Sequence, residues 1–554
     1  MSHPFFERHR ATLERALEAI AQRSYWSAYP ESASPKVYGE GAAEAGKAAF
    51  EALKDKPFPL EQPATVGTVG GEVSPYGMPL GITYPKADLE PLFAAIGKAQ
   101  ESWRKAGAEA WAGVCLETLS RINQQSFLFA NAVMHTTGQA FMMAFQAGGP
   151  HAQDRGLEAV AYAWDEMRRI PTSAQWEKPQ GKNEPLKMEK RFRVVPRGIG
   201  LVIGCCTFPT WNGFPGFFAD LATGNAVVVK PHPAAILPLA LTVKIAREVL
   251  AEAGFDPNVV TLVAHAAGDE VAQKLALRSD VRIIDFTGSA ANGNWLEANA
   301  RQAQVFTEKS GVNQIVVDSA SDFKGFVRNV AFSLSLYTGQ MCTAPQNLYI
   351  PKDGIDTPEG HLSFDQVTTA LAEGVQKLLA DPARAVEFLG AVVNDGVLKR
   401  LEAARSLGPI VLDSQSLAHP QFAGATIRTP LIVRLSSADS AKYLEEWFGP
   451  VAFVIATKDT SESLAIAKDA ILRKGALTLS VYSTDDDVIA RAIDVAEEAG
   501  VALSINLTGG VFVNQSAAFS DFHGTGANPA ANSALTDSAF VANRFRVVQN
   551  RRHV

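Results

Sequence analysis

Alternating strand-like and helix-like patterns dominate the middle of the chain. The run from Ala226 to Lys230 is apolar until its last residue, which is typical of a strand covered on both faces. Leu241, Ile245 and Val249 then recur at helical spacing, and Gly254 marks the end of that helix. The strand-like runs VVTLVAH, VRIIDFTG and AQVFTEK follow, separated by the helix-like DEVAQKLAL and AANGNWLEANA. This alternation predicts a parallel, doubly wound sheet with right-handed crossovers.

A second alternating series begins near Val312 and predicts a second α/β lobe. It contains NQIVVD, a helix from Asp322 to Tyr337 and the strand NLYIP. The long helical stretch Phe364 to Leu379 separates these elements from the strand-like ILRKGALTLSVYST and GVALSINL. Ligands of such sheets bind beyond the carboxyl ends of the strands, so we expect the functional site there.

The first 170 residues are mainly helical in pattern. Helical spacing runs from about Asp88 to Glu166, with a break at Gly148 to Pro150. The preceding stretch, PFPLEQPATVGTVGGEVSPYGMPLG, is dense in Gly and Pro, which predicts loops. Its glycine cluster lacks a preceding strand and a following helix, so we expect an ordered surface connection rather than a phosphate-binding loop.

The string RFRVV occurs twice, at Arg191 to Val195 and at Arg544 to Val548. Both copies alternate in polarity and are basic. Two readings are open: the strings form strands that pair at a sheet edge, or the repeat is a coincidence in a short β-prone string.

Composition excludes several classes of function. The chain has 554 residues with 58 acidic and 51 basic side chains, so no net basic field exists to attract nucleic acid or a membrane surface. Glu7, Arg8 and Arg10 interrupt the segment where a signal peptide needs an apolar stretch. The four cysteines show no zinc-ligand spacing, so no metal is expected. These features predict a cytoplasmic protein with reduced thiols.

Three side chains carry groups for one kind of covalent chemistry. Cys342 stands in GQMCTAPQN at the end of a predicted helix, Glu308 in the strand-like VFTEKSG, and Asn212 in TFPTWNGFPGF. Taken singly, each is most often structural. Together, a thiol that attacks, an amide that donates to the oxyanion and a carboxylate that activates water are what oxidation of an aldehyde through a thioester requires.

Five motifs extend this reading to the whole chain. From about Val73 to the C-terminus the sequence resembles the aldehyde dehydrogenase superfamily. The matching motifs are TWNGFP (Thr210 to Pro215), GNAVVVKP (Gly224 to Pro231), FTGSAANG (Phe286 to Gly293), GQMCTAP (Gly339 to Pro345) and EEWFGPV (Glu445 to Val451).

The resemblance implies a role for each of these side chains. Cys342 would be the nucleophile and Glu308 the general base that releases a carboxylic acid. Asn212 would be the side-chain donor of the oxyanion hole, completed by the backbone N–H of Cys342. The resemblance also implies a nicotinamide dinucleotide, with a lysine at the adenosine ribose, a helix start beneath the pyrophosphate and two residues at the nicotinamide ribose and ring. The positions matched for the cofactor are, in that order, Lys230 with Pro231, Gly288 with Ser289 and Gly293, and Glu446 with Phe448.

One departure from the family pattern bears on the cofactor. The family often has an acid three positions after the lysine, where it accepts from the adenosine 2′-hydroxyl, but this chain reads Lys230, Pro231, His232, Pro233. A carboxylate there would repel a 2′-phosphate, so its absence favours NADP over NAD. His232 either pairs with that phosphate or is a solvated loop residue.

Two further departures lie beside the catalytic residues. The usual E-L-G-G-K becomes Glu308, Lys309, Ser310, Gly311, and Lys309 either alters the pKa of the base or points away. An extra Gly213 follows Asn212 and shifts the aromatic residues expected along the aldehyde channel.

A narrower resemblance concerns the substrate. SPYGMPLGITYP, the N-terminal extension and the closing FSDFHGTGANPAANSALTD resemble the PaaN-type enzymes of phenylacetic acid degradation. That resemblance implies a ring-opened CoA-thioester semialdehyde as substrate, and a separate hydratase that opens the ring, because no second catalytic domain is left over here.

Three rival functions fit these residues less well. A CoA-acylating aldehyde dehydrogenase needs no water-activating glutamate, so Glu308 argues against it. A cysteine hydrolase or acyltransferase needs a Cys/His pair, and no histidine shares a motif with Cys342. A catalytically silent structural or binding protein would have no use for the complete Cys, Glu and Asn set.

The expected fold is therefore α/β and aldehyde dehydrogenase-like, with two doubly wound lobes and a small β oligomerisation element. Edge strands of that element would pair between subunits to give a homodimer or an assembly of dimers. The predicted division is a dinucleotide-binding domain with the N-terminal extension (1–171 and 197–310), a catalytic thiol domain (311–518), oligomerisation strands (172–196 and 539–554) and a return segment (519–538).

Overall fold

The computed structural model describes residues 3–309, 311–514, 519 and 522–554. Ser310 of the altered base motif and Ser520 and Asp521 of the closing motif lie outside the described residues, as does part of the chain on each side of the predicted 518/519 boundary. The predicted domain boundaries stay predictions.

The N-terminal third is a helical layer that begins with an amphipathic helix. Pro4 opens that helix after an N-cap at His3, and its apolar face, including Phe6 and Leu13, packs against two later helices of the layer. The predicted break at Gly148 to Pro150 is confirmed. The elements are α1 Pro4–Gln22, α2 Pro35–Tyr38, α3 Ala42–Glu51, β1 Thr65–Gly70, β2 Thr83–Ala87, α4 Leu89–Ala106, α5 Ala108–Gln124, α6 Ser126–Thr137, α7 Phe141–Gln146 and α8 Pro150–Arg168.

One sequence prediction in this layer holds only in part. The Gly/Pro-rich stretch is predicted to contain loops, but its residues Thr65–Gly70 form β1, which pairs antiparallel with β2 in a hairpin. Val69 pairs with Tyr84, whose side chain is fully buried and donates to the Glu72 carboxylate. Pairing with a strand that has a buried face therefore overrides the low strand propensity of the glycines.

The first large sheet has five parallel strands in the order β7-β6-β5-β8-β9. Its strands and crossover helices confirm the predicted doubly wound pattern, and every residue of β5 and β6 is buried. The elements from the preceding hairpin to the end of this sheet are β3 Ser173–Gln180, β4 Asn183–Pro196, β5 Ile199–Ile203, α9 Pro209–Ala222, β6 Ala226–Lys230, α10 Leu237–Glu252, β7 Val260–Leu262, α11 Val271–Ala276, β8 Val281–Thr287, α12 Ala290–Asn299 and β9 Gln304–Glu308.

The second large sheet has seven strands in the order β14-β17-β18-β11-β10-β19-β20, all parallel except the edge strand β14. The expected strand ILRKGALTLSVYST begins too early, because its first residues end helix α18. The elements are β10 Asn313–Val317, α13 Phe323–Ser335, β11 Pro345–Pro351, β12 Ile355–Thr357, β13 Gly360–Leu362, α14 Phe364–Leu378, α15 Pro382–Leu389, α16 Asp395–Ala404, β14 Ile410–Leu412, β15 Ser416–Leu417, β16 Ile427–Arg428, β17 Leu431–Ser436, α17 Ser440–Tyr443, β18 Val451–Thr457, α18 Thr460–Lys474, β19 Thr478–Tyr482, α19 Asp486–Ala499 and β20 Ala502–Ile505.

The chain closes with α20 (Ser538–Ala542) and β21 (Phe545–His553). Strands β21, β4 and β3 form an antiparallel sheet in which Val547 pairs with Val194, so the two RFRVV strings do pair with each other. Arg544, immediately before β21, is fully buried and forms ion pairs with Asp220 of α9 (2.7 Å) and Asp285 of β8 (2.6 Å). The last strand is thereby joined to the core of the five-stranded sheet.

Among the described residues, no helix combines the length and the apolar character needed to cross a membrane.

Candidate active site

Glu308 and Asn212 meet at the carboxyl edge of the five-stranded sheet. Glu308 is the last residue of β9, and its backbone carbonyl accepts from Gly288 N–H after the neighbouring strand β8 (3.0 Å). Asn212 lies in the first turn of α9, which follows β5. Asn212 Nδ2 donates to Glu308 Oε2 at 2.9 Å, and Asn212 Oδ1 accepts a weak hydrogen bond from the Cys205 thiol (3.8 Å between S and O).

Cys342 is carried by a tight loop of the second lobe. Helix α13 ends at Ser335, earlier than predicted, so Cys342 does not end a helix but lies in a loop before β11. Tyr337 and Thr338 adopt left-handed backbone (φ of 52° and 54°), which costs free energy in residues other than glycine. Buried side-chain hydrogen bonds hold them there: Tyr337 donates to the Thr137 carbonyl and Thr338 to that of Leu389.

Asn313 fixes the nucleophile loop to the second sheet. Its Nδ2 donates to the backbone carbonyls of Cys342 (2.7 Å) and Ala344 (3.0 Å), while its Oδ1 accepts from Leu477 N–H and Thr478 N–H. This one buried amide therefore ties the loop to the start of β19.

The structure brings the three predicted catalytic residues into one cluster and adds a fourth. His523 Nε2 lies 3.7 Å from Cys342 Sγ and 3.1 Å from Glu308 Oε2. The reactive atoms of these three side chains lie within 4.8 Å of one another. No histidine shares a sequence motif with Cys342, but the fold brings His523, 181 residues further along the chain, next to the thiol. The signal available was the histidine in FHGTGAN, inside the segment that suggested the narrower resemblance.

The environment of the cluster shifts the pKa values of Cys342 and Glu308 in opposite directions. Removal from water, together with the Glu308 carboxylate, raises the pKa of the Cys342 thiol well above its ordinary value. Burial raises the pKa of Glu308, but the hydrogen bond from His523, together with the charge that this ring carries when protonated, outweighs burial and brings that pKa below its usual range. Glu308 Oε1 is buried and has no hydrogen-bond partner among the described residues. It therefore offers a free acceptor for a water molecule.

The predicted cofactor positions of the first lobe lie at the same edge of the five-stranded sheet. Ser289 caps α12 by accepting from Asn292 N–H (3.4 Å), so the free N–H groups of the first turn point out of the helix start. Gly288 connects β8 to that helix, and a Cβ on Gly293 would lie 2.4 Å from Lys309 Cγ. The glycine therefore allows the Lys309 side chain to pack directly against the start of the helix.

Lys230 is the buried cation of the proposed adenosine site. It ends β6, is 6% exposed, and has no hydrogen-bond or ion-pair partner within the described residues. Burial lowers its pKa to about 8. Pro231 follows, and burial followed by the charge of Lys230 lowers the pKa of His232 to about 4, so His232 is neutral at pH 7. The loop histidine is thus half-buried rather than fully solvated.

Glu446 and Phe448 lie in the second lobe, between α17 and β18. Arg400 of α16 donates from Nε to the Phe448 carbonyl at 2.8 Å, and the charge of Glu446 acts on the same guanidinium. The structure thus brings Glu446 and Phe448 together at Arg400, while Lys230, Gly288 and Gly293 lie at the other lobe.

A cavity of about 700 Å³ leads to Cys342. The N-terminal extension forms part of its wall through Tyr25, Trp26 and Glu31, which no sequence motif indicated. The rest of the lining is rich in aromatic and sulfur-containing side chains. These are Met142, Met143, Phe208, Trp211, Phe332, Met341, Phe388 and Phe512.

Residues 81–529 match the model of the aldehyde dehydrogenase family. The chain belongs to this family. The match covers both large sheets and the nucleophile loop, so the predicted superfamily and fold class are confirmed. The chain is an aldehyde dehydrogenase enzyme.

Relatives of this aldehyde dehydrogenase include several with different named substrates. It is similar to the crystal structure of an NAD-dependent aldehyde dehydrogenase from Burkholderia multivorans, with 64% identity, a TM-score of 0.99 and full coverage of both chains. It is 25% identical over 400 residues to 1-pyrroline-5-carboxylate dehydrogenase of Geobacillus thermodenitrificans (69% of this chain, 72% of the relative). It is 28% identical to 2-aminomuconic 6-semialdehyde dehydrogenase of a Pseudomonas species over 56% of this chain and 61% of the relative.

The structure of this dehydrogenase shows where two departures from the family pattern, at Lys309 and Gly213, lie. Lys309 points away from the base, because its Nζ donates to Asn294 (2.9 Å) and pairs with Glu297 (3.0 Å) on α12. Gly213 lies inside α9, and the following Phe214 is fully buried. The channel aromatics in this part of the chain are instead those before Asn212, namely Phe208 and Trp211.

Proposed function

We propose that this aldehyde dehydrogenase oxidises its aldehyde to a carboxylic acid through a thioester on Cys342, which water activated by Glu308 then hydrolyses. The observation that carries the proposal is the cluster in which the buried Glu308 lies against the Cys342 thiol, which lines the cavity, while one Glu308 carboxylate oxygen has no partner among the residues that the structure describes. A CoA-acylating enzyme needs no such base.

Each side chain has a stated task in the proposed reaction. The Cys342 thiolate attacks the carbonyl carbon, and the resulting oxyanion accepts from the second N–H of Asn212 Nδ2 and from the backbone N–H of Cys342. The nicotinamide cofactor supplies the acceptor for the hydride. Glu308 then removes a proton from water at Oε1, the hydroxide adds to the thioester carbon, and the carboxylate leaves as Cys342 becomes a thiolate again.

The proposed cofactor is NADP, with NAD as the alternative. No carboxylate follows Lys230 at the position that would repel a 2′-phosphate, and its ammonium has no ion-pair partner among the described residues. The Burkholderia multivorans relative, by contrast, is named as NAD-dependent. Fluorescence titration of both dinucleotides tests the choice: NADP should bind more tightly, and Lys230→Met should weaken NADP more than NAD. Equal weakening of both would refute NADP recognition by this lysine.

The proposed substrate is a CoA-linked semialdehyde of phenylacetate catabolism, ring-opened by a separate hydratase. The resemblance of the closing segment to PaaN-type enzymes supports this, and so does the cavity, whose volume of about 700 Å³ suits an extended acyl chain better than a short aldehyde. The semialdehyde offered as its CoA thioester should give a higher kcat/KM than the free acid semialdehyde. The reverse order would refute the assignment.

We also propose that the three-stranded sheet joins two subunits. Its outer strands β3 and β21 each leave one edge unpaired among the described residues, and β21 is exposed beyond Phe545. Light scattering should give at least a dimer, and proline at Trp176 in β3 should reduce its mass to that of the monomer. A dimer that survives this change would place the interface elsewhere.

The decisive experiment follows absorbance at 340 nm with an aldehyde panel, each dinucleotide, and CoA present or absent. Turnover without CoA should be lost in Cys342→Ala and retained in the matched control Cys115→Ala, a thiol buried in α5. Turnover only in the presence of CoA would show that the enzyme transfers the acyl group to CoA instead of to water. Release of acid from a thioester without any dinucleotide would favour the Cys/His hydrolase, which the position of His523 makes a second candidate.

A further inference from the structure

His523 has a fixed position between the nucleophile and the base. The residue is 4% exposed, and its ring stands edge-on to the Trp211 ring, with centroids 4.4 Å apart and planes at 81°. On the same indole lies the guanidinium of Arg155, 4.0 Å from the ring centroid. Packing against a large buried aromatic side chain restricts rotation of the imidazole, so Nε2 stays near both Cys342 Sγ and Glu308 Oε2.

The cluster needs a positive charge near the sulfur. A thiolate on Cys342 would lie beside the ionised Glu308, and burial together with Glu308 already raises the pKa of the thiol well above its ordinary value. The titratable and charged groups that face it are Glu308, Cys205 and Arg155, and Glu158 on α8 partly neutralises Arg155. Of the described groups, His523 alone both accepts a proton and has a nitrogen directed at the sulfur.

We propose that His523 is the base that deprotonates Cys342. The S–H bond of Cys342 breaks, the proton bonds to His523 Nε2, and the electron pair stays on sulfur. The new imidazolium N–H then lies between the thiolate and the Glu308 carboxylate. The net charge of the three side chains is unchanged, because a neutral thiol and imidazole become an anion and a cation. This inference rests on the proposed function in taking Cys342 as the nucleophile.

The arrangement assigns separate tasks to the two bases. His523 prepares the thiolate for attack, and its imidazolium stabilises the thiolate again when the acid product leaves. Glu308 keeps Oε1 free for the hydrolytic water while Oε2 accepts from Asn212 and from the imidazolium. The nucleophile is therefore activated without protonating the carboxylate that acts in the second half of the reaction.

The test is the pH dependence of Cys342 alkylation by iodoacetamide, read from the mass of the Cys342 peptide, with no cofactor or substrate present. In the unmodified protein the midpoint should lie below pH 7. His523→Gln and His523→Asn should each raise the midpoint by at least two pH units, which is about a 100-fold lower rate at pH 6. At pH 10 their rates should approach that of the unmodified protein.

Controls separate this proposal from loss of fold and from failure of the proposed function. His361→Gln, an exposed side chain paired with Asp356, should leave the midpoint unchanged. Cys115 is fully buried, so its alkylation in a variant would report unfolding. A midpoint above pH 8.5 in the unmodified protein, or an unshifted midpoint in both folded variants, overturns the role of His523. Full turnover in Cys342→Ala would instead overturn the proposed function.

Discussion

Replacement of Glu308 by Gln should separate the two halves of the reaction. The change keeps the size of the side chain and an oxygen that accepts from Asn212, but it removes the acceptor of the water proton. It also removes a negative charge from beside Cys342, and that charge is one of the causes that raise the pKa of the thiol. Formation of the thioester should therefore survive, while its hydrolysis should fail.

The expected size follows from the role of the carboxylate. Loss of a positioned general base typically costs about 10² to 10⁴ in rate, so steady-state turnover should fall by that factor. Glu308 is 1% exposed and its Oε1 has no protein partner among the described residues, so no neighbouring carboxylate replaces it. Rapid mixing should show a burst of NAD(P)H equal to the enzyme concentration, followed by slow release of acid.

Stopped-flow absorbance at 340 nm, with mass spectrometry of the quenched protein, checks both parts. The burst should coincide with an acyl adduct on Cys342. Glu359→Gln is the matched control, because Glu359 is exposed and pairs with Lys324 at the surface, and this variant should turn over normally. Steady turnover by Glu308→Gln without CoA, with no adduct, would refute the assignment of Glu308 as the base.

Three other changes give further predictions. Arg544→Gln should lower the free energy of unfolding by about 3–5 kcal/mol in urea titrations, because it leaves two carboxylates buried without their cation; a loss below about 1 kcal/mol would contradict this. Asn212→Ala should lower kcat by about 10² to 10³ with folding intact by circular dichroism, since one oxyanion donor is lost; an unchanged kcat would exclude that role. Burial raises the pKa of Asp154 to about 8, so the folded protein holds a proton that the unfolded chain releases near pH 4, and stability should fall as pH rises from 4 to 8. Asp154→Asn should flatten that decline in melting temperatures measured across the range, and an equally steep decline would exclude Asp154 as its cause.

The sequence predicted those parts of the fold that depend on periodicity. Strands such as β6 are buried on both faces, so their continuous run of apolar residues is enough to predict them from the sequence. The hairpin of β1 was missed because glycine-rich strands owe their structure to a partner, here β2, rather than to propensity. The start of β19 was misplaced because Ile471 is apolar in the helix as it would be in a strand, and short apolar runs do not distinguish the two.

The candidate site was predictable only where a motif carried the residue. Cys342, Glu308 and Asn212 stand in recognisable strings, and the fold brings them together. His523 reaches the cluster from the far end of the chain, through a segment whose position depends on packing against Trp211 and on the bridge between Glu308 and Ala531. A local sequence motif cannot reveal a tertiary contact between residues that lie so far apart in the sequence. The same holds for Trp26, which comes from the first helical layer to line the cavity.

The ion pairs of Arg544 make the first large sheet depend on a residue that lies far away in the sequence. Arg544 is separated by 259 residues from Asp285 of β8 and by 324 residues from Asp220 of α9. The two buried carboxylates are therefore neutralised only when the segment that leads into β21 has docked, so folding at the centre of this sheet is completed by a long-range contact. Displacing that segment would destabilise the centre of the first sheet rather than a peripheral strand.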